Sequence, residues 1–262
     1  MSKKNEQVLP NVTNIKSTET YTLPSKGLVY NPEDKIPASI TLRRMTTKED
    51  KIRMRNESDN LIRKQILQAC IMDKDVDAGK LKIMDANFLL FRLRSLSLLD
   101  DIYKVVCRCR SCGTEFIHEV ELSKVPVEYM SESKLKNFKV ELPICGAKID
   151  FKYPSLNDII RMSEDLNAYM EQFPSADLNE VMYTSSSVLY IDKINGDRPM
   201  LEQLEDWMDG LDILDSRALA DVIRNVDNLY GFSTKLKTKC PKCSSEITHG
   251  LPITSELFNP SK

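Results

Sequence analysis

The stretch CRCRSCGTEFIHEVEL, residues 107–122, decides how this chain of 262 residues is organised. It places three of the chain's seven cysteines within six residues. Cys109 and Cys112 form a Cys-x-x-Cys pair, and this spacing lets a tight turn present two thiolates to one metal ion. Because a tetrahedral ion needs four ligands, the pair predicts that matching ligands lie elsewhere in the chain.

A second copy of the same pattern lies 131 residues further on. The first copy reads CRSCGTEFIH from Cys109, and the second reads CPKCSSEITH from Cys240. In both, the second cysteine is followed by Glu after three residues, an apolar residue after four and His after six. We therefore predict one structural Zn²⁺ site with four cysteine ligands: Cys109, Cys112, Cys240 and Cys243.

Two other uses of these cysteines remain open from the residues alone. A redox dithiol is one, although neither pair stands beside a thioredoxin-like βαβ pattern. Two separate sites that use His118 and His249 are the other. Strand alternation places both histidines in apolar rows, which favours partly buried structural histidines over metal ligands.

The remaining cysteines have less specific surroundings. Cys107 could compete with Cys109 as the partner of Cys112, but the wider gap breaks the repeat. Cys70 lies on the apolar stripe of a predicted helix and is expected to be a small core residue. Cys145 precedes Gly146 in a predicted turn, where a place near the metal stays open.

Composition limits the function classes. Apolar residues make up 41% and charged residues 29%, and the net charge is −2, so bulk attraction to nucleic acid or anionic membrane is not indicated. No apolar run is long enough for a membrane helix, and no secretory signal is expected at the N-terminus. A reducing compartment is therefore expected, where clustered cysteines favour metal over disulfides.

Periodicity predicts a mixture of strands and helices. A capping box at Thr46 and Glu49 predicts a helix start, and strands flank both cysteine pairs. The helix after Pro154 has a stripe that we expect to be buried. This stripe comprises Leu156, Ile159, Ile160, Leu166, Met170 and Phe173. Further helices are predicted over 179–191, 199–208 and 215–229, and strands over 39–43, 102–107, 116–122, 138–142, 147–151 and 232–239.

The predicted fold class is α+β, with zinc-ribbon-like β-hairpins that carry the two knuckles, a mainly helical insert and an N-terminal helical region. The predicted divisions are a flexible arm at 1–20, an extended segment and helical region at 21–100, the first knuckle hairpin at 101–125, a β-hairpin and helical insert at 126–230, and the second knuckle hairpin at 231–262. A ribbon tolerates such an insert if the ends of the insert lie close together.

The residues favour a protein that is not an enzyme. Four cysteines saturate an ion and leave no position for water, and metalloprotease, phosphate-loop and serine-hydrolase motifs are missing from the sequence. The alternative is a zinc-ribbon protein that binds nucleic acid in transcription or replication. Lysines at 235, 237, 239 and 242 could face phosphates, but a solvated strand face explains them equally.

The order of several segments resembles the baseplate hub proteins of T-even-type contractile-tailed phages. The segments are YTLPSKGLVY at 21–30, ITLRRMTTKE at 40–49, QACI at 68–71, the LFRLR within 85–94, and the first Cys-x-x-Cys-Gly. The resemblance is best over 21–122 and looser afterwards. It implies a structural or assembly protein of the central hub, found in the virion tail baseplate or in the host cytoplasm during assembly.

The resemblance also implies other phage baseplate or hub proteins as partners. The charge balance and the apolar runs described above, by contrast, give no expectation of a nucleic-acid partner or of a membrane-spanning segment. The arm and the segment 21–30 are the expected partner contact, because such segments gain order on binding.

Overall fold

The structure is a computed structural model, and it describes residues 17–135, 139–175, 177–227, 229–233 and 235–259. Most of the predicted arm, residues 1–16, lies outside the described residues. The last part of that prediction differs from the structure, since Thr18–Thr22 forms strand β1. It pairs with β2, Ser39–Arg43, in an antiparallel ladder that places Thr18 opposite Arg43. Because the partner strand lies about twenty residues away, the sequence around 18–22 does not indicate this pairing.

The described elements give an α+β fold with small antiparallel sheets. The helices are α1 (Thr47–Arg53), α2 (Asp59–Cys70), α3 (Ile83–Leu98), α4 (Glu132–Leu135), α5 (Leu156–Gln172), α6 (Leu178–Val188), α7 (Leu201–Asp209) and α8 (Ile213–Asp227). The other strands are β3 (Ile102–Arg108), β4 (Glu115–Glu121), β5 (Val127–Glu128), β6 (Lys139–Glu141), β7 (Lys148–Phe151), β8 (Ile191–Ile194), β9 (Gly231–Phe232), β10 (Lys235–Lys239) and β11 (Glu246–Gly250). In the described parts of the chain, no helix is both long and apolar enough to span a bilayer.

The N-terminal helices follow the predicted pattern. The capping box at α1 is confirmed, because Thr46 and Glu49 bond each other's backbone N–H groups. The buried face of α2 consists of Ile62, Ile66, Leu67 and Cys70, so the predicted core position of Cys70 is confirmed. Burial raises the pKa of Cys70 to about 12, which keeps this thiol protonated and unreactive, as expected of a core residue.

The segment 21–30, the expected partner contact, has a buried centre at Leu23, Pro24 and Ser25, whereas Thr22, Lys26 and Leu28 are exposed. Ser25 is fully buried, and its N–H donates to Asp85 at 3.0 Å. The Tyr30 hydroxyl donates to the same carboxylate at 2.7 Å. Burial raises the pKa of Asp85 to about 6, against the opposing effect of these hydrogen bonds. The segment is therefore held on the first turn of α3 by its own chain, which the local sequence does not indicate.

One hydrophobic core joins the N-terminal helices to both cysteine-bearing hairpins. The ring of Phe91 on α3 stacks on Phe232 at a centroid distance of 4.7 Å. The same buried cluster includes residues in or next to the strands of both hairpins and in the last described turn of the chain. They are Tyr103, Val105, Cys107, Val120, Leu122, Leu251, Leu257 and Phe258. The two hairpins, far apart in sequence, therefore share one core with α3.

The insert is closed at its base by a short strand pair. β5 and β9 pair antiparallel, with Val127 opposite Phe232 and Glu128 opposite Gly231. Beyond this pair, β6, β7 and β8 form a three-stranded sheet. Strand β8 corrects the predicted helix over 179–191, since α6 ends at Val188 and Ile191 begins a strand. Pairing with β7 decides this outcome, and such pairing is not local.

The predicted buried stripe of α5 is only half confirmed. Leu156 and Ile160 are buried, and a capping box at Ser155 and Asp158 begins the helix. Further along the same stripe, Leu166 and Met170 are only half-buried, and Phe173 is 45% exposed. Periodicity shows that a helix has an apolar face, but not that the same chain covers it.

Candidate metal centre

Each cysteine pair sits at the tip of a hairpin, in a turn fixed by two backbone hydrogen bonds. In the first turn, the N–H of Cys109 donates to Thr114 O and the N–H of Gly113 donates to Cys109 O, each at 2.9 Å. The second turn has the same bonds, from Cys240 to Ser245 O and from Ser244 to Cys240 O, also at 2.9 Å. The knuckle conformation predicted from Cys-x-x-Cys is thus formed twice.

The strands below the two turns repeat the same register. Arg108 lies opposite Glu115 in β3 and β4, and Lys239 lies opposite Glu246 in β10 and β11. Each of these residues is displaced by the same 131 positions that separate the two motifs. The internal repeat seen in the sequence is therefore a repeat of structure.

The residue after each knuckle has a positive φ, 73° at Gly113 and 60° at Ser244. Because a side chain is unfavourable in this region, we expect Ser244→Gly to raise the free energy of unfolding by about 0.5–1 kcal/mol. The matched change Gly113→Ser is expected to lower the free energy of unfolding by a similar amount. Its cost comes from the positive φ alone, because no atom lies within 4 Å of a Cβ at this position. Urea denaturation of both variants tests this, and shifts of the same sign would contradict it.

The four predicted ligands come together in the structure. Their sulfur atoms all lie within 4.8 Å of one another, and they form the candidate metal group of the described residues. Across the hairpins, the Sγ atoms of Cys109 and Cys243 are 3.6 Å apart and those of Cys112 and Cys240 are 3.7 Å apart. Around a tetrahedral Zn²⁺ with Zn–S bonds of about 2.3 Å, neighbouring sulfurs lie about 3.8 Å apart, so the donor set fits this ion.

The sulfurs are not in disulfide geometry, since a disulfide holds its two sulfurs about 2.05 Å apart. Cys109 and Cys240 are buried, whereas Cys112 and Cys243 face solvent. A cluster with two buried and two exposed thiols, shared between two hairpins, resembles a structural metal site more than a dithiol with one accessible pair.

Two hydroxyl groups that the sequence analysis missed lie beside the exposed sulfurs. Thr114 Oγ1 is 3.3 Å from the Sγ of Cys112, and Ser245 Oγ is 3.3 Å from the Sγ of Cys243. The Thr114 hydroxyl and its backbone N–H lower the pKa of Cys112 to about 6, and Ser245 lowers the pKa of Cys243 in the same way. The aligned repeats carry the signal, because both have a hydroxyl residue two positions after the second cysteine.

The two histidines pair with each other across the hairpins. His118 Nδ1 and His249 Nε2 are 2.7 Å apart, and the rings meet edge to face. His249 Nδ1 lies 3.0 Å from Gly250 O, so this nitrogen donates its hydrogen there. His249 Nε2 is then the acceptor, and His118 Nδ1–H is the donor. This pairing agrees with the predicted structural role, since neither histidine belongs to the sulfur group.

The remaining cysteines lie away from the sulfur group. Cys107 is buried in the core on β3, where burial raises its pKa. It is therefore not available as an alternative partner of Cys112. Cys145 lies in the turn between β6 and β7 and is exposed. It does not join the candidate metal group of the described residues.

A comparison with models of known protein families gives a match over most of the chain. The model of the T4 bacteriophage base plate protein family matches residues 16–259. The chain belongs to this family. No curated protein and no solved structure gives a significant match.

Membership of the T4 base plate protein family makes the chain a structural protein of a phage baseplate and places it in the virion tail. The match covers both knuckles and the whole insert. The match therefore extends beyond residues 21–122, where the resemblance in the sequence is best, and includes the C-terminal half, where that resemblance is loose. As a baseplate protein, the chain interacts with other phage proteins.

Proposed function

We propose that the chain is a non-enzymatic structural or assembly protein of the central hub of the baseplate, stabilised by one Zn²⁺ ion on four cysteines. The observation that carries this proposal is the closed sulfur cluster within a chain matched by the base plate family over nearly its whole length. Four thiolates would hold the ion without a position for substrate, so the ion would supply stability and no chemistry.

The proposed site ties together two hairpins that are separated by more than one hundred residues. Without an ion, the hairpins would be joined by the core beneath them and by the histidine pair. Metal binding by Cys109, Cys112, Cys240 and Cys243 would therefore fix the ends of both hairpins relative to each other. Fixed geometry of this kind suits a subunit that must present a constant surface to its neighbours.

We also propose that the predicted divisions are structural units. The hairpins of 101–125 and 231–262 would form one ribbon, with 126–230 inserted into it and 21–100 packed beneath it. The pairing of β5 with β9 supports this division, since it brings the two ends of the insert together. Limited proteolysis is expected to cut within the insert before it cuts the ribbon.

The hub assignment is tested in infected cells. We expect mass spectrometry to find the chain in purified central hub subassemblies, or in purified particles if it remains in the virion. Absence from the hub subassemblies and from the particles would contradict the hub assignment.

The nucleic-acid alternative has little support from the charges on the ribbon. Lys237 forms an ion pair with Glu246 at 2.8 Å, and Lys104 lies 3.8 Å from Glu119. Glu246 thus neutralises one of the four lysines that could face phosphates, which lowers the net positive charge of this strand face. A salt-dependent shift of labelled DNA or RNA at physiological ionic strength would favour the alternative.

A further inference from the structure

The turn between β6 and β7 has the same backbone conformation as the two knuckles. The N–H of Leu142 donates to Ala147 O at 2.9 Å, and the N–H of Gly146 donates to Leu142 O at 3.1 Å. These are the two bonds that define each cysteine knuckle. Gly146 has a φ of 66°, and Glu141 lies opposite Lys148, as Arg108 lies opposite Glu115.

The sequence of this turn matches the knuckles at the second cysteine but not at the first. The six residues read LPICGA at 142–147, against CPKCSS at 240–245. Cys145 takes the place of Cys243, whereas Leu142 takes the place of Cys240. The Leu142 side chain is buried in the apolar core of the insert, so no first thiolate exists here.

A carboxylate occupies the position of the missing charge. In the second knuckle, the N–H groups of Lys242 and Cys243 bond the sulfur of Cys240. The equivalent N–H groups in the third turn are those of Ile144 and Cys145. They donate to Asp215 Oδ1 at 2.8 Å and Oδ2 at 2.9 Å. Asp215 lies in the first turn of α8 and is fully buried.

We infer that the β6–β7 turn is a third knuckle, which is held by the Asp215 carboxylate in place of a metal-bound thiolate. The N–H groups equivalent to those that face the Cys240 sulfur in the second knuckle bind a carboxylate here. Burial opposes the ionisation of Asp215, but these N–H groups hold its pKa below the usual range. The insert therefore keeps its hairpin without metal, whereas the ribbon depends on one under the proposed function.

Amide hydrogen exchange on the full chain loaded with Zn²⁺ tests this inference. A chelator is expected to speed exchange in residues 109–114 and 240–245 and to leave 142–147 protected. Asp215→Asn is expected to speed exchange at Ile144 and Cys145 by roughly tenfold or more. It is expected to leave exchange in 109–114 and 240–245, and the metal content, unchanged. Faster exchange of 142–147 after chelator treatment would overturn the inference. This test uses wild-type protein, so it remains valid if Asp215→Asn unfolds the insert.

Serine substitutions at the shared second-cysteine position provide matched controls. Cys112→Ser and Cys243→Ser are expected to lower the metal content, whereas Cys145→Ser is expected to leave it unchanged. Loss of metal in Cys145→Ser would contradict the inference. If wild-type protein binds no metal, the proposed zinc site fails, while protected amides that depend on Asp215 would still support the third knuckle.

A separate observation concerns the exposed tip of the helical hairpin formed by α5 and α6. Four large apolar side chains there are more than two-fifths exposed, namely Tyr169, Phe173, Leu178 and Met182. The rings of Tyr169 and Phe173 are in contact, at a centroid distance of 4.8 Å. Aromatic and methionine side chains are enriched in protein interfaces, and a grouped exposure of this kind marks a binding surface.

The charges around this tip select the kind of partner. Glu164, Asp165, Glu171 and Asp177 are exposed near the apolar side chains. Between Arg161 and Lys193 the sequence has no Lys or Arg. An acidic rim repels nucleic acid, anionic lipid and a second copy of the same surface.

We propose that this tip binds another baseplate protein through an apolar groove bordered by Lys and Arg. The proposal rests on the proposed function, since the baseplate supplies the partner. Helix-in-groove binding places the apolar face in the groove and the acidic rim against the basic border.

Pairwise binding to each purified baseplate protein of the same phage tests the proposal. The double variant Phe173→Ser/Met182→Ser is expected to bind its partner at least about tenfold more weakly. Because both side chains are partly buried, its unfolding is measured beside wild type, and binding is compared at a temperature where both are folded. Val106→Ser/Ile117→Ser removes another exposed apolar pair, on the first ribbon hairpin, and is expected to bind normally.

Equal binding by the tip variant and wild type would overturn this proposal and leave the baseplate function intact. Self-association of the wild type through the tip would also overturn it. Absence of any baseplate partner for the wild type, together with absence from the hub, would instead remove the proposed function.

Discussion

Arg94→Met is expected to lower the free energy of unfolding by about 3–5 kcal/mol. The Arg94 guanidinium is fully buried and donates to three backbone carbonyls, those of Asp100 at 2.8 Å, Ile102 at 2.9 Å and Leu257 at 2.9 Å. Methionine has a similar length but no donor, so it leaves three carbonyl groups inside the protein without this partner. Urea denaturation followed by far-ultraviolet circular dichroism measures the loss.

The location of these carbonyls explains the size of the effect. Asp100 and Ile102 lead into β3, and Leu257 belongs to the last described turn of the chain. Arg94 therefore fixes the start of the first ribbon hairpin and the C-terminal segment to α3. Loss of these three hydrogen bonds is therefore expected to loosen both ends of the ribbon together.

Arg92 provides a matched control two residues away. Its guanidinium lies over the Phe88 ring at 5.0 Å, and its Nε is buried without a hydrogen-bond partner. Arg92→Met is expected to cost less than about 1 kcal/mol, since it removes a ring contact and a weak electrostatic interaction with Tyr21 but no buried carbonyl network. Equal losses for the two variants would show that the carbonyl network is not the reason for the effect.

The knuckles could be predicted from the sequence because their determinants are local. Two cysteines at fixed spacing, a following residue that accepts a positive φ and a cross-strand pair are all within eight residues. The constant offset between the two copies then predicted that the four sulfurs meet. Helix starts at Thr46 and Ser155 could be predicted for the same reason, since a capping box is a local pattern.

The contacts that could not be predicted from the sequence join residues that are far apart in the chain. Asp215 meets the turn at Ile144 from about seventy residues away, and Asp85 holds Ser25 across sixty. Nothing near any of these residues indicates the contact. The third knuckle was missed because its first cysteine is replaced by Leu142, which removed the pattern that identified the other two.

The exposed half of α5 shows a second limit of sequence patterns. The spacing of Leu166, Met170 and Phe173 satisfies the rule for a buried helix face, yet the chain buries only the first turns fully and leaves Phe173 exposed. An apolar face that binds another protein has the same periodicity as one that packs inside its own chain. Only the structure separates the two, because it shows which neighbours are present.

Cys109→Ala is expected to abolish tight metal binding and to separate the two hairpin tips. Three thiolates leave an open coordination position for water, and we expect affinity to fall by roughly a hundredfold or more. Because Cys109 belongs to one hairpin and Cys240 and Cys243 to the other, the variant also loosens the link between them. Metal analysis after gel filtration measures the ion, and hydrogen exchange in 102–121 and 235–250 measures the link.

Cys107→Ala is the control for this prediction, since Cys107 is also buried and lies two residues before Cys109, in β3. Its thiol packs in the apolar core, so the variant is expected to keep about one ion per chain and to lose only the packing of one sulfur atom. Substitution by Co²⁺ identifies the ligands, because four thiolates give the absorption of a tetrahedral sulfur site. Full metal content in Cys109→Ala, or the absence of a bound transition metal from wild-type protein, would contradict the four-cysteine site.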